Sequence, residues 1–237
     1  MPDGEQIIHS IIMFNSVILS CEHADNLVPD QYQYLFDKEP EVLNTHWGWD
    51  PGAWELAQFL ATQLSVPLYG CSTTRLLIEA NRSLENPQLF SKYSSNLSNT
   101  EKEKLIETIY HPYRNQVREF LIAAKKPILH LSIHTFTPIW NGIERQVDIG
   151  ILFDPDQSLE QKFCDQFKEI LEIYLPDKKI KLNEPYKGTD DGFTTELRKQ
   201  IPNNQYAGIE LEINQKYAAD LSMIQNEILR AIETILK

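Results

Sequence analysis

The sequence predicts an α/β fold: a three-layer sandwich in which helices cover both faces of a central mixed, mostly parallel sheet. Three observations carry that prediction. Short β-rich runs recur along the chain, several nearly continuous in apolar residues, as strands buried on both faces require. Segments with helical apolar spacing alternate with them. The chain has 237 residues, 42% of them hydrophobic, enough for one substantial core. No internal repeat, linker or low-complexity tract divides it, so residues 1–237 are expected to form a single domain.

In chain order, SVILSC is the first predicted strand. A helix starts at Pro51 behind Asp50 and buries Trp54, Leu56, Phe59, Leu60 and Leu64. VPLYGC and RLLIEA read as the next two strands. The polar tract from Ser91 to Lys104 reads as a loop entering a helix, with Thr100 as cap and Glu103 reaching back in a capping box. Apolar positions from Leu105 through Ile109, Tyr113, Val117 and Leu121 continue that helix. PILHLSIH and VDIGILF are strands, Ser158 to Tyr174 a helix, Thr194 to Lys199 a shorter one, and AGIELEIN a late strand. A final helix carries Tyr217, Leu221, Ile224, Ile228, Ile232 and Leu236 on one side.

Composition excludes several partner classes. With 22 basic and 34 acidic residues the net charge is −12, which disfavours nucleic acid and anionic membrane surfaces, since both are bound through Lys and Arg. An acidic chain still binds an anionic small molecule through a few local arginines. Cys21, Cys71 and Cys164 form an odd set without CxxC spacing, so no disulfide framework is expected. The apolar stretch from Ile7 to Leu19 is broken by polar residues and has no basic flank, which argues against a signal peptide. No run approaches bilayer length. A reducing, cytoplasmic location is the expectation.

Ligand sites in open α/β sheets gather at the carboxyl ends of strands. SVILSC runs into Glu22, His23, Ala24, Asp25 and Asn26, RLLIEA into Asn81 and Arg82, and PILHLSIH into His134 and Thr135. Two strand-end histidines with a nearby carboxylate suit a zinc ion with three protein ligands and an open position. They suit equally a hydrogen-bonded structural role. Glu210 and Glu212 lie two apart, on one face of a strand that otherwise reads as buried. Two such carboxylates would cost several kcal/mol of desolvation unless paired, which is the strongest purely physical sign of a site. Asp50 before Pro51 reads first as a helix cap, although its carboxylate has oxygens for a second role. Arg75 and Arg82 read either as surface ion-pair partners or as a fork for a carboxylate. Cys21 reads as a packing residue. GxGxxG, Walker and GxSxG patterns are absent.

Seven segments in order, CEHADNLVP, HWGWDPGA, RLLIEANRS, IYHPYR, SIHTFTP, NEPYKG and IELEINQ, resemble the N-formylglutamate amidohydrolase family, from Cys21 to Gln215. The resemblance implies a zinc carboxypeptidase-like, phosphorylase/hydrolase-type fold and metal-dependent hydrolysis of a small anionic N-acyl amino acid, typically N-formylglutamate. It implies His23 and His134 as ligands of one zinc ion. Asp50 is the favoured third ligand, Glu22 the rival, and Asn26, at the position of the carboxypeptidase glutamate, a poor one. It implies Glu212 as the base for water, with Glu210 secondary. Asn81 and Arg82 would grip a substrate carboxylate with Arg75 nearby, and Tyr113 and Tyr186 would line the cleft. Two departures touch specificity: Asn214 replaces a basic residue, and TTELRKQ lacks a histidine, leaving Arg198 and Lys199 as substitutes. A carboxypeptidase-like hydrolase of peptide or cell-wall fragments and a non-catalytic anion-binding protein are the alternatives.

Overall fold

In the computed structural model, which describes residues 14–237, the elements run β1 (Ser16–Cys21), α1 (Ala53–Leu64), β2 (Leu68–Gly70), α2 (Asn99–Leu105), α3 (His111–Ala123), β3 (Ile128–Phe136), β4 (Ile139–Trp140), β5 (Ile143–Glu144), β6 (Ile149–Leu152), α4 (Ser158–Tyr174), β7 (Ile180–Leu182), α5 (Phe193–Arg198), β8 (Tyr206–Asn214) and α6 (Gln225–Leu236). The part of the signal-peptide reading that rests on Ile7 to residue 13 lies outside the described residues. Among the described residues no helix is long and apolar enough to cross a membrane.

The central sheet has the order β2-β1-β3-β8-β6-β7 among the described residues. All neighbouring pairs are parallel except β6 with β8, which is antiparallel, so the sheet is mixed and mostly parallel, as expected. Alternation along β3 and β8 decides the two faces. Leu129, Leu131, Ile133, Ile209, Leu211 and Ile213 join one core cluster with apolar residues of α1, α4 and α6. The other face packs Ile18, Ile128 and Tyr206 against Val117 and Leu121 of α3 and Phe193 and Leu197 of α5. On that second face Ser132 pairs in register with Glu210, and His134 with Glu212. Polar residues thus accumulate toward the carboxyl ends of β3 and β8.

Several local expectations are corrected. RLLIEA is not a strand. Its Leu76, Leu77 and Ile78 are buried in irregular backbone within a third apolar cluster, with Tyr32 and Phe36 from a 3-10 helix (Asp30–Phe36) and Val28, Leu89 and Leu97 from surrounding loops. Three consecutive apolar residues satisfy a loop-covered cluster as well as a strand, and periodicity does not separate the two. The helix after the polar tract is capped by Ser98, whose hydroxyl accepts from the Glu101 amide while Glu101 reaches back. Ser98–Glu101 and Thr100–Glu103 both fit the capping-box pattern, and the upstream pair forms. That helix is interrupted by a π-turn over Ile106–Tyr110, just before Pro112. Pro112 has no N–H for the preceding turn, and the wider turn accommodates the loss.

The last helix begins only at Gln225. Asn214 and Asp220 accept hydrogen bonds from the amides of Lys216 and Ser222, winding Tyr217 and Leu221 into separate 3-10 turns. Within α1, Leu56 and Leu60 are buried as expected, but Trp54, Phe59 and Leu64 are only partly covered. The β4–β5 hairpin was not read from the sequence, although Asn141-Gly142 marks it. Both residues have positive φ (51° and 76°), as a two-residue type I′ turn requires.

Candidate active site

His23 lies two residues past the end of β1, and His134 projects from the carboxyl half of β3. Asp50 stands between them. Its backbone N–H donates to the His23 carbonyl (3.1 Å), which pins the segment before α1 against the end of β1. Oδ2 of Asp50 lies 3.1 Å from His23 Nδ1 and 3.0 Å from His134 Nδ1. All three residues are buried, and their donor atoms cluster within 4.8 Å of one another. The cap reading of Asp50 is therefore corrected. Gly52, at φ 87°, occupies the cap position of α1 without a side-chain bond, and the Asp50 carboxylate faces the imidazoles.

The outer nitrogens of the two rings are held by further buried carboxylates. His23 Nε2 lies 2.5 Å from Glu79 Oε1, and His134 Nε2 lies 3.0 Å from Glu22 Oε2. A carboxylate only accepts, so in a metal-loaded centre each Nε2 would keep its proton, and each Nδ1, which here meets Asp50 Oδ2, would turn its lone pair to the cation. Two imidazole nitrogens and one carboxylate oxygen form a donor set that fits a divalent zinc-type ion with room for a further ligand. Glu22, the rival third ligand, sits instead behind His134. It accepts from Ser132 and, at 2.5 Å, from the Tyr113 hydroxyl. Asn26 turns away, donating to the carbonyl of Leu43.

Burial favours neutral forms for all these groups, and mutual charge overrides it. At His23, burial and Arg75 oppose protonation, but Glu79 and Asp50 outweigh them and raise its pKa. At His134, burial opposes protonation, but hydrogen bonding to Asp50 and Glu22 holds its pKa well above the ordinary value. Burial works against the charged carboxylates, yet His23 and His134 hold Asp50 well below its usual range, His134 does so for Glu22, and Arg75 and His23 for Glu79. Glu212 differs. Its Oε2 is buried without a hydrogen-bond partner among the described residues. Burial, opposed in part by His134 and reinforced by Asp50 and Glu210, pushes its pKa up to about 7.

A cavity of about 160 Å³ opens on this group, with His23, Asp50, His134, Glu210 and Glu212 on its walls together with Asn81 and Arg82. Glu210 and Glu212 thus share a face, as their spacing predicts. Glu210 accepts from the Thr194 hydroxyl. Asn81 is fixed by the Phe193 amide, which donates to its Oδ1 at 2.8 Å, and Arg82 donates to the Asp191 carbonyl. Arg75 lines the cavity, but its guanidinium is engaged by Glu79 (2.8 Å from Nε) and Asp50 (3.3 Å from Nη1), so it is not a free anion fork. Tyr186 lines the cavity and its hydroxyl accepts from Arg145. Tyr113 is corrected: its hydroxyl is buried on Glu22 and is absent from the cavity wall.

Of the two substitutes suggested for a missing family histidine, only Arg198 has a structural duty. Arg198 donates to Glu160 and to the carbonyls of Gly188 and Gly208. Lys199 is exposed. Asn214 donates to the Val147 carbonyl and accepts from the Lys216 amide. The cysteines are free and buried, with the Cys21 thiol pushed up by burial. Sequence reasoning missed Glu79, because reading RLLIEA as a strand made Glu79 one of its alternating positions. The available signal was a carboxylate four residues after Arg75.

The family model described as N-formylglutamate amidohydrolase matches residues 15–219. The fold is similar to that of a solved crystal structure, a gene product of Agrobacterium tumefaciens. That chain is 25% identical with a TM-score of 0.75, over 94% of this chain and 92% of that one. No curated protein sequence matches.

Proposed function

Because the chain belongs to the N-formylglutamate amidohydrolase family, we propose that it hydrolyses the amide of a small N-formyl amino acid, using one zinc ion held by His23, Asp50 and His134. The observation that carries this reading is the convergence of two imidazole nitrogens on one Asp50 oxygen, with Glu212 in the same cavity.

A bound divalent ion would supply Lewis acidity at the acyl oxygen and to the attacking water. Glu79 and Glu22 keep the two rings in the tautomer that presents Nδ1. Glu212 is the general base. Its unpartnered Oε2 accepts a proton as the water oxygen bonds to the formyl carbon. The C–N bond then breaks, and Glu212 returns the proton to the departing nitrogen, giving formate and the free amine. Asn81 and Arg82 hold the α-carboxylate and orient the amide. Glu210, beside them, supports the anion-binding wall through Thr194.

Metal analysis of purified protein, with a panel of N-formyl, N-acetyl and N-succinyl amino acids assayed for released amine, tests the proposal. Glu212→Gln should retain zinc and lose turnover by about 10²–10⁴-fold. Full activity in that variant removes Glu212 from its role. A chain without bound metal or turnover on any member supports the anion-binding alternative instead.

A further inference from the structure

A second cavity of about 380 Å³ adjoins the first and shares Asp50, Arg75, Thr135 and Tyr186 with it. Its size falls in the range of small-molecule sites, roughly 300–1,000 Å³. Its walls are aromatic. Trp47 and Trp140 stand 5.7 Å apart between ring centroids, His46 packs on Trp47 at 4.8 Å, and Phe90 and Phe136 add further rings. Trp140 is carried there by the β4–β5 hairpin. Both tryptophans remain substantially exposed, Trp47 at 51% and Trp140 at 39%, so neither is covered by the fold.

Among the described residues, the lining cations of this cavity, Arg75 and Lys92, are engaged, Arg75 by Asp50 and Glu79 and Lys92 by Glu39 at 3.0 Å. Arg145 lies outside the lining, with its guanidinium over the rings of Phe136, Trp140 and Tyr186, and its Nη1 donates to Thr137 and Tyr186. These contacts brace the three rings against one another.

We propose that this cavity is the side-chain subsite of the amidohydrolase and that it selects an aromatic side chain over the carboxylate of glutamate. The inference rests on the hydrolase reading above. With the formyl amide at the His23–Asp50–His134 group and the α-carboxylate toward Arg82 in the inner cavity, the third substituent on the α-carbon is directed through the shared opening into the outer one. A benzyl or indolylmethyl group there covers exposed tryptophan surface, whereas a glutamate carboxylate would lose hydration where both lining cations already hold carboxylates.

The test compares N-formyl-L-phenylalanine, N-formyl-L-glutamate and N-formylglycine on the full zinc-loaded chain, by turnover and by calorimetric binding to the Glu212→Gln form. The phenylalanine compound should exceed the glutamate compound by at least about tenfold in kcat/KM and in affinity, within the range hydrophobic pockets achieve. Trp47→Ala and Trp140→Ala should each lower the phenylalanine-to-glycine ratio by about tenfold. A preference for glutamate overturns the inference, and its loss in Arg145→Met would assign the side chain to Arg145. A phenylalanine-to-glycine ratio untouched by both tryptophan variants also overturns it. No turnover of any compound, with phenylalanine still bound more tightly, defeats the hydrolase reading and leaves the subsite standing.

Discussion

The imidazole of His23 stands edge-on to that of His134, with ring centroids 5.0 Å apart and 64° between the planes. That relationship joins the end of β1 to the end of β3 and leaves one nitrogen of each ring directed at Asp50. The remaining nitrogens are held by Glu79 and Glu22, so a cation entering this centre would take the place of the protons shared with Asp50.

His134→Ala should reduce bound zinc from one ion per chain to a small fraction of that, and chelation should lower the melting temperature of the parent but not of the variant. Elemental analysis and thermal melts at matched metal concentration measure both effects. Unchanged stoichiometry in the variant would place the ion elsewhere.

Glu79→Gln should weaken zinc binding by about 10–100-fold, because the His23 ring loses the anionic partner that fixes its orientation and raises its basicity. Asn26→Ala should leave affinity where it was, since that amide binds Leu43 and Asn44. Competitive titration against a chromogenic chelator distinguishes the two, and equal effects would contradict the assignment of Glu79.

In the metal-free protein, Glu212 has a pKa raised to about 7 by burial, against about 4.5 unfolded. The native state therefore holds more protons than the unfolded state between these values, and stability falls as pH rises through that window. The loss amounts to roughly 3–4 kcal/mol at about 1.4 kcal/mol per pH unit. Urea denaturation of metal-free parent and Glu212→Gln at pH 4.5 and 8 should show the parent losing stability relative to the variant at the higher pH. A constant difference would mean that Glu212 titrates normally.

Arg198→Met should destabilise the fold by about 3–5 kcal/mol, because Glu160, fully buried, loses its cation while still accepting from the amides of Gly208 and Asp154. A change below about 1 kcal/mol in chemical denaturation would show that Arg198 is not a structural partner. This variant separates fold maintenance from the substrate-contact role suggested by its place in the sequence.

Much of the architecture was legible because burial leaves a periodic trace. Ser158–Tyr174 reads correctly to the residue, since its apolar positions follow one helical face into the core. SVILSC reads correctly from its buried apolar run, and AGIELEIN from the alternation of Ile209, Leu211 and Ile213 with Glu210 and Glu212. RLLIEA carries the same trace for another reason, burial beneath loops, and so misled. At the site, the polar residues at strand ends marked His23, His134 and Glu212, while Glu79 stayed hidden in a run whose backbone path was misread. Tyr113 was expected to line the cleft, but the direction of its hydroxyl depends on where Glu22 lies.

Local composition and periodicity thus determined the fold class, the identity of the strand-end polar groups and the family resemblance, because each is written in residues close together along the chain. Strand register and loop packing decided which atoms meet. His134 and Asp50 are 84 residues apart, and His23 and Glu79 are 56 apart. Only the folded sheet brings their donor atoms within reach, because long-range contacts depend on the path of the intervening backbone, which side-chain pattern alone does not specify.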